Sequence, residues 1–340
     1  MPAAISISVI LPVFNGQATI AAAIDSLDAD AMPGVEVIAV DDGSTDDTAT
    51  VLAELAASRT WLRVLSHPHA GIAAALNAGI DAAAGKYIAR MDADDVSLPG
   101  RLAAQSAYLD AHPTIGLVGG HVRFGGDEES AAGYAHYVAW INTLSEPEDI
   151  AALRFVESPF AHPAVMFRRE HVERHGGYAE GDFPEDYELW LRWMDAGVRM
   201  ASLEREVLIW NDPPDRLSRS DERYSVEAFY RMKIRYFVRW AEQLVRQWPD
   251  VIVWGAGRVT RQRVKLLEEQ GARITAFVDI DPDKIGQRIH GVPVIAPDGL
   301  PPPGECFILP FVGARHAREL IMQWLREHGY RIGENFLPLA

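Results

Sequence analysis

Over the first 112 residues the chain alternates between two hydrophobic patterns. AISISVILPVF, GVEVIAVDD, WLRVLSH and KYIARMD are short, largely apolar runs that read as buried strands. Between and after them, ATIAAAIDSL, DDTATVLAELAAS, GIAAALNAGIDAAAG and RLAAQSAYLDAH carry apolar residues at helical spacing. Gly85 ends the third of these helices and Pro113 stops the fourth. Such alternation predicts an α/β fold with a mostly parallel sheet flanked by helices, and ligands beyond the carboxyl ends of its strands.

Residues 115 to 210 are less regular. TIGLVGGHVRF and AVMFRR read as strands, and PEDYELWLRWMDAG as a helix that begins after Pro184 and stops at Gly197. The polar, turn-rich NDPPDRLSRSDERYS leaves the first domain. A helix over roughly 221–247 follows, with Phe229, Met232, Tyr236, Trp240 and Leu244 at helical spacing. Strand, glycine turn, helix and strand then return in DVIVWGAGRVTRQRVKLLEEQGARITAFVDID, followed by short strands in VPVIA and CFILPFV and a helix in ARELIMQWLREHG. The expected organisation is a first α/β domain at 1–218, a connecting amphipathic helix at 219–248 and a smaller Rossmann-like domain at 249–340.

Composition narrows the classes. At 340 residues with 48% apolar content the chain can fill two cores. A formal charge of −16 disfavours nucleic acid and broad adhesion to anionic lipid. Cys306 is the one cysteine, so intrachain disulfides and cysteine zinc clusters are excluded and a reducing compartment fits. The N-terminus has no charged leader, and no run reaches the about 18 apolar residues of a membrane span, so a cytoplasmic protein is expected.

The candidate chemistry sits at the strand ends. Asp92, Asp94 and Asp95 crowd the end of one strand, and Asp41 and Asp42 the end of another. Repulsion within the first group suggests a divalent cation, Mg²⁺ or Mn²⁺, held together with an anionic ligand such as a phosphate. The bland alternative is a solvated acidic loop that caps the next helix.

Four segments in order change that balance: SVILPVFNG, VIAVDDGSTDDT, AGIAAALNAGIDAAAGKYIARMDADD and PEDYELWLR. Together they resemble the inverting family 2 glycosyltransferases of the GT-A fold, over about residues 5–218. The resemblance implies that Pro12, Val13 and Phe14 border the nucleotide base of a nucleoside diphosphate sugar, expected to be a UDP-sugar. It implies that Asp41 or Asp42 holds base or ribose, that Asp94 ligates the metal, and that Asp92 contacts ribose or metal-bound water. Asp95 would cap the following helix or support the site. Asp186, with Glu185 beside it, would be the general base toward an acceptor hydroxyl on a glycan or a lipid-linked sugar; the alternative is a pair of first-turn acids favoured by the helix dipole. Segment FAHPAVMFRR also resembles the family, so His162 could face acceptor or diphosphate, or be a satisfied structural histidine. Where many relatives carry Arg-x-His, this chain has Asn211, Asp212 and Arg216; the third metal ligand is left open, with Arg216 a candidate diphosphate contact.

In the second domain Gly255, Gly257 and Asp279 form an incomplete dinucleotide fingerprint in which Thr260 replaces the third glycine. That leaves a nucleotide or sugar-nucleotide site open beside a module kept for docking or homo-oligomerisation. Arg231, Arg235 and Arg239 could bring the connecting helix to a membrane surface as a peripheral contact, although Glu227 and Glu242 dilute their charge. Rival readings are a sugar-phosphate nucleotidyltransferase, which lacks here its Gly-rich segment with Arg and Lys, a nicotinamide-dependent oxidoreductase, and a sugar-nucleotide sensor without turnover.

Overall fold

The computed structural model of the protein describes residues 4–30, 33–213 and 216–340. It divides into two compact units, 1–151 with 159–223, and 152–158 with 224–340. The helix expected to connect two domains, Val226–Leu244, is grouped with the second unit.

The first unit is built on eight strands: β1 (Ile7–Val13), β2 (Val35–Asp41), β3 (Leu62–Ser66), β4 (Tyr87–Arg90), β5 (Val96–Ser97), β6 (Ile115–Phe124), β7 (Met166–Arg168) and β8 (Arg199–Trp210). They lie in the order β3-β2-β1-β4-β7-β6-β8-β5. The first four are parallel; β7 runs antiparallel to β4 and β6, β8 is parallel to β6, and β5 pairs antiparallel with β8. Every residue of β1, β2 and β4 is buried, as expected of strands covered on both faces. Parallel pairing brings the ends of β1, β2 and β4 to one rim, which carries Phe14, Asp41–Asp42 and Asp92–Asp95.

Two polar residues near the starts of β1 and β2 are tied to each other. Ser8 Oγ donates to Glu36 Oε1 at 2.6 Å, and that carboxylate also accepts from Ala84 N (2.8 Å) and Arg63 Nη1 (3.1 Å). This network docks the turn after helix Ile72–Ala82 onto the starts of β1 and β2. Gly85, expected as a helix stop, lies beyond the helix end at Ala82 and is needed for another reason: it donates to Ser8 Oγ at 2.9 Å so close to the strand that an added Cβ would stand 2.6 Å from Ser8 N.

The second unit carries five strands, β9 (Asp250–Trp254), β10 (Arg273–Val278), β11 (Arg288–Ile289), β12 (Val292–Ile295) and β13 (Ile308–Pro310), in the order β11-β12-β10-β9-β13. All but β11 are parallel. Ser225 caps the Val226–Leu244 helix through its Oγ, which accepts from Ala228 N. The face that helix buries is wider than the expected stripe and displaced from it. Tyr230, Lys233, Ile234, Phe237, Val238 and Ala241 join Met232 and Tyr236 inside, while Leu244 is 67% exposed. Arg231, Arg235 and Arg239 lie on its exposed side, with Arg231 paired to Glu227 at 2.7 Å. Among the described residues no helix is long and apolar enough to cross a membrane.

Gly85→Ala is expected to lower stability by about 1–3 kcal/mol, because the new methyl meets main chain that cannot rotate away. Urea denaturation checks this, and an unchanged midpoint would contradict the close packing.

Candidate active site

The turns after β1 and β2 are stitched together. Asn15 Oδ1 accepts from Thr45 N at 2.8 Å, and Ser44 Oγ accepts from Asn15 N at 2.9 Å. Pro12 and Val13 are buried inside β1; of the three residues expected at a base, Phe14 alone is exposed, at 47%. Its ring stacks on His69 with centroids 4.2 Å apart, leaving an aromatic surface at the rim.

Asp41 and Asp42, adjacent in sequence, are used differently. One oxygen of Asp41 accepts from Ser44 N at 3.0 Å. Both oxygens of Asp42 are spent on main chain, Oδ1 accepting from Ala70 N (3.0 Å) and Oδ2 from Gly71 N (2.9 Å), with His67 Nδ1 3.3 Å from Oδ1. Asp42 therefore clasps the entrance of helix Ile72–Ala82 and satisfies amides at its start.

Beyond β4, one carboxylate oxygen from each of Asp92, Asp94 and Asp95 lies within 4.8 Å of the others. Burial, then the charge of Asp92, pushes the Asp94 carboxyl up to about 6. Asp95, 1% exposed, is raised well above the usual carboxylate range by burial and then by Asp92 and Asp94. Its Oδ1 accepts from Asn211 N at 2.8 Å, whereas Oδ2 is buried without a hydrogen-bond partner. Asn211 also donates through Nδ2 to Asp94 O at 2.6 Å, so the segment after β8 holds the acidic turn by its backbone and by Asp95. The set of hard oxygen donors, crowded and under-neutralised, fits Mg²⁺ or Mn²⁺. Arg216 lies with its guanidinium 4.1 Å from the Trp210 ring centre and acts on Asp94 through its charge; Asp212 Oδ1 is 3.5 Å from its Nη1.

The helix Glu185–Asp195 starts after Pro184 with three acids in its first turn. Glu185 is 3% exposed, and its Oε1 lies 3.8 Å from His162 Nδ1. His162 Nε2 is 2.8 Å from the Tyr178 hydroxyl, and Tyr178 is in turn fixed by Asn77, which accepts from its N–H and donates to its carbonyl. Burial and the nearby Arg90 charge hold His162 well below its ordinary value, so the imidazole is neutral. Trp190 packs edge-on against the same imidazole. Asp186 stays half-buried, and its carboxyl is pushed up to about 7 by burial first and the charge of Glu185 second. Of the two neighbouring acids, one is locked inside and the other keeps partial access to solvent, with a proton affinity suited to transfer near neutrality.

In the second unit Asp279 is likewise engaged. Burial raises its carboxyl, but N–H groups of Asp281 and Ala256 and the Lys284 ammonium outweigh that and hold it low. Thr260, in place of the fingerprint's third glycine, donates to Phe311 O at 2.9 Å, while Gly255 adopts φ +123°, open to glycine. Sequence reasoning passed over Arg90, Asn77 and Tyr178. Arg90 could have been noticed as a charge within an otherwise apolar strand, whereas Asn77 and Tyr178 carried no signal.

Comparison with known proteins places this geometry. A family model described as "Glycosyl transferase family 2" matches residues 8–176. EpsE of Bacillus subtilis, named as a glycosyltransferase, is 31% identical over 227 residues, covering 65% of this chain and 78% of that protein. The amylovoran biosynthesis glycosyltransferase AmsE of Erwinia amylovora is 31% identical over 182 residues, 53% of this chain and 65% of its own length. Among solved structures, S. aureus TarS 1-349 in complex with UDP-GlcNAc superposes with a TM-score of 0.55 at 16% identity, over 78% of this chain and 71% of that one. This last likeness is one of fold.

Replacing Asp42 by Ala removes two acceptors from the start of a helix and is expected to lower stability by about 1–2 kcal/mol. A denaturation midpoint unchanged in Asp42→Ala would show that the clasp is not formed.

Proposed function

The chain belongs to glycosyltransferase family 2, and on that premise we propose that it is a metal-dependent, inverting enzyme that moves a sugar from a UDP-sugar to a hydroxyl of a glycan or lipid-linked acceptor. The observation that carries this reading is Asp186, a half-buried carboxyl raised to about 7 on a rigid helix, in a unit whose sheet rim gathers three further carboxylates.

Inversion requires a single in-line displacement. Asp186 accepts the proton of the acceptor hydroxyl as its oxygen bonds to the anomeric carbon. The bond from that carbon to the diphosphate oxygen breaks on the opposite face, and its electron pair leaves with the nucleoside diphosphate. Neutral His162, with Tyr178 and Glu185, fixes the wall beside the base without competing for the proton. Asp94 and Asp92 would hold Mg²⁺ or Mn²⁺ with the diphosphate; when bound, the cation meets charge growing on the leaving group. Phe14 and Asp41 are assigned to the nucleotide base and ribose, since Asp42 is already bonded to main chain. Arg216 is assigned to the diphosphate because its charge already acts on Asp94. The acceptor class is supported by the biosynthetic role, in amylovoran assembly, named for AmsE.

The test is nucleoside diphosphate release from UDP-sugars with and without acceptor glycans. Acceptor-dependent release is expected to fall by about 10²–10⁴-fold in Asp186→Asn, with UDP binding retained, and to be abolished in Asp94→Ala. Release that stays normal in Asp186→Asn sinks the base assignment, and binding without turnover would make the protein a sensor.

Titration gives a second check. Turnover needs Asp186 ionised, so it is expected to rise with pH and level off above about 7. Because the folded carboxyl titrates above its ordinary 3.8, ionisation works against folding, a loss that begins above that value and is complete above about 7. Asp186→Asn should therefore melt higher than the wild type at pH 8, with the gain shrinking toward pH 5.

A further inference from the structure

Three arginines are buried around β4, and they spend their donors differently. Arg101 donates to Arg90 O (2.6 Å) and Gln105 (3.1 Å). Arg168 donates to the carbonyls of Ile115 (2.9 Å) and Leu109 (2.6 Å). Both are staples between main-chain segments. Arg90, 2% exposed, instead directs Nη1 at Asp92 Oδ1 in an ion pair, while neither that nitrogen nor Nε, both buried, makes a directional hydrogen bond. Its own backbone is pinned on both sides, the N–H donating to Val165 O at 3.0 Å and the carbonyl accepting from Arg101. A guanidinium this short of partners is a poor stabilising device, since a buried ion pair often contributes no more to folding than apolar side chains of the same volume.

We propose that Arg90 is a positioning residue of the donor site: from a fixed point at the end of β4 its guanidinium holds one oxygen of Asp92, turns the other toward the ligand, and leaves Asp94 as the carboxylate free for the cation. The inference rests on the assignment of the Asp92–Asp95 cluster to the nucleoside diphosphate. It divides labour within that cluster: Asp92 is tethered and oriented by protein, while Asp94 pairs with no cation of the chain at contact distance among the described residues. The same positive charge also acts on Asp95, Tyr178 and Asp186, so one buried cation serves the donor cluster and the base.

Arg90→Gln and Arg90→Lys in the full chain test it, with UDP and Mn²⁺ as probes, read by calorimetric binding, donor and acceptor KM, kcat and melting temperature. Losing the ion pair should misplace Asp92 and weaken UDP binding in the presence of Mn²⁺ by about 10- to 100-fold. Donor KM should rise with it and acceptor KM stay unchanged, and Arg90→Lys, which keeps the charge, should recover part of the affinity. Wild-type affinity in both variants overturns the proposal. So does a melting loss with donor and acceptor KM affected alike and no rescue by Lys, the mark of a purely structural arginine. If neither variant folds, the pair is a device of the core and the proposal is likewise overturned. If wild-type protein itself fails to bind UDP with Mn²⁺, the donor-site reading fails before Arg90 is reached.

Discussion

Carboxylates forced together at the end of a buried strand are the constraint to which the first unit answers. Three such oxygens within 4.8 Å of one another repel by about 3.5 kcal/mol per ionised pair at an effective dielectric of about 20. That is several times the worth of an exposed ion pair, so surface charges elsewhere cannot offset it. The chain answers locally. Arg90 neutralises Asp92 from beneath, Asn211 binds the turn through a main-chain and a side-chain donor, and burial keeps Asp94 and Asp95 readily protonated. What remains is a site whose charge is compensated only in part, which is the electrostatic condition for holding a dication and a diphosphate together.

The same solvent exclusion that strains the cluster raises the carboxyl of Asp186, the proposed base. Asp186 begins a helix, where the dipole favours a carboxylate, yet burial and Glu185 outweigh that preference and bring its proton affinity to the range in which an enzyme can use it. The proposed role does not extend to Glu185, which is buried beside His162. The neutral imidazole, the Tyr178 hydroxyl and Asn77 form a hydrogen-bonded backing, and fixed geometry is what the proposed in-line displacement asks of the groups that flank it.

Much of this was legible in the residues. Strand and helix periods through residue 112 match the observed β1 to β4 and their helices, because parallel strands buried on both faces leave unbroken apolar runs. The acids of DADD and PEDYE were visible for the opposite reason, since charge at the end of an apolar run needs an explanation. The half from 115 to 210 was harder. The strand Arg199–Trp210 is exposed in its middle, at Glu204, Arg205 and Glu206, and this broke the pattern. Helices Ala132–Ile141 and Arg169–His175 are short and only partly buried, so they left no clear period. The division between Asp41 and Asp42 could not be read at all, because it depends on amides almost thirty residues away that only the folded chain brings close.

The most direct test of the central claim is a crystal of the protein grown with Mn²⁺ and UDP, examined by anomalous scattering. A manganese peak on the Asp94 carboxylate, bridged to the diphosphate with Asp92 still held by Arg90, is the predicted result. Ordered UDP with no metal at Asp94, or a rim left empty by both, would contradict it.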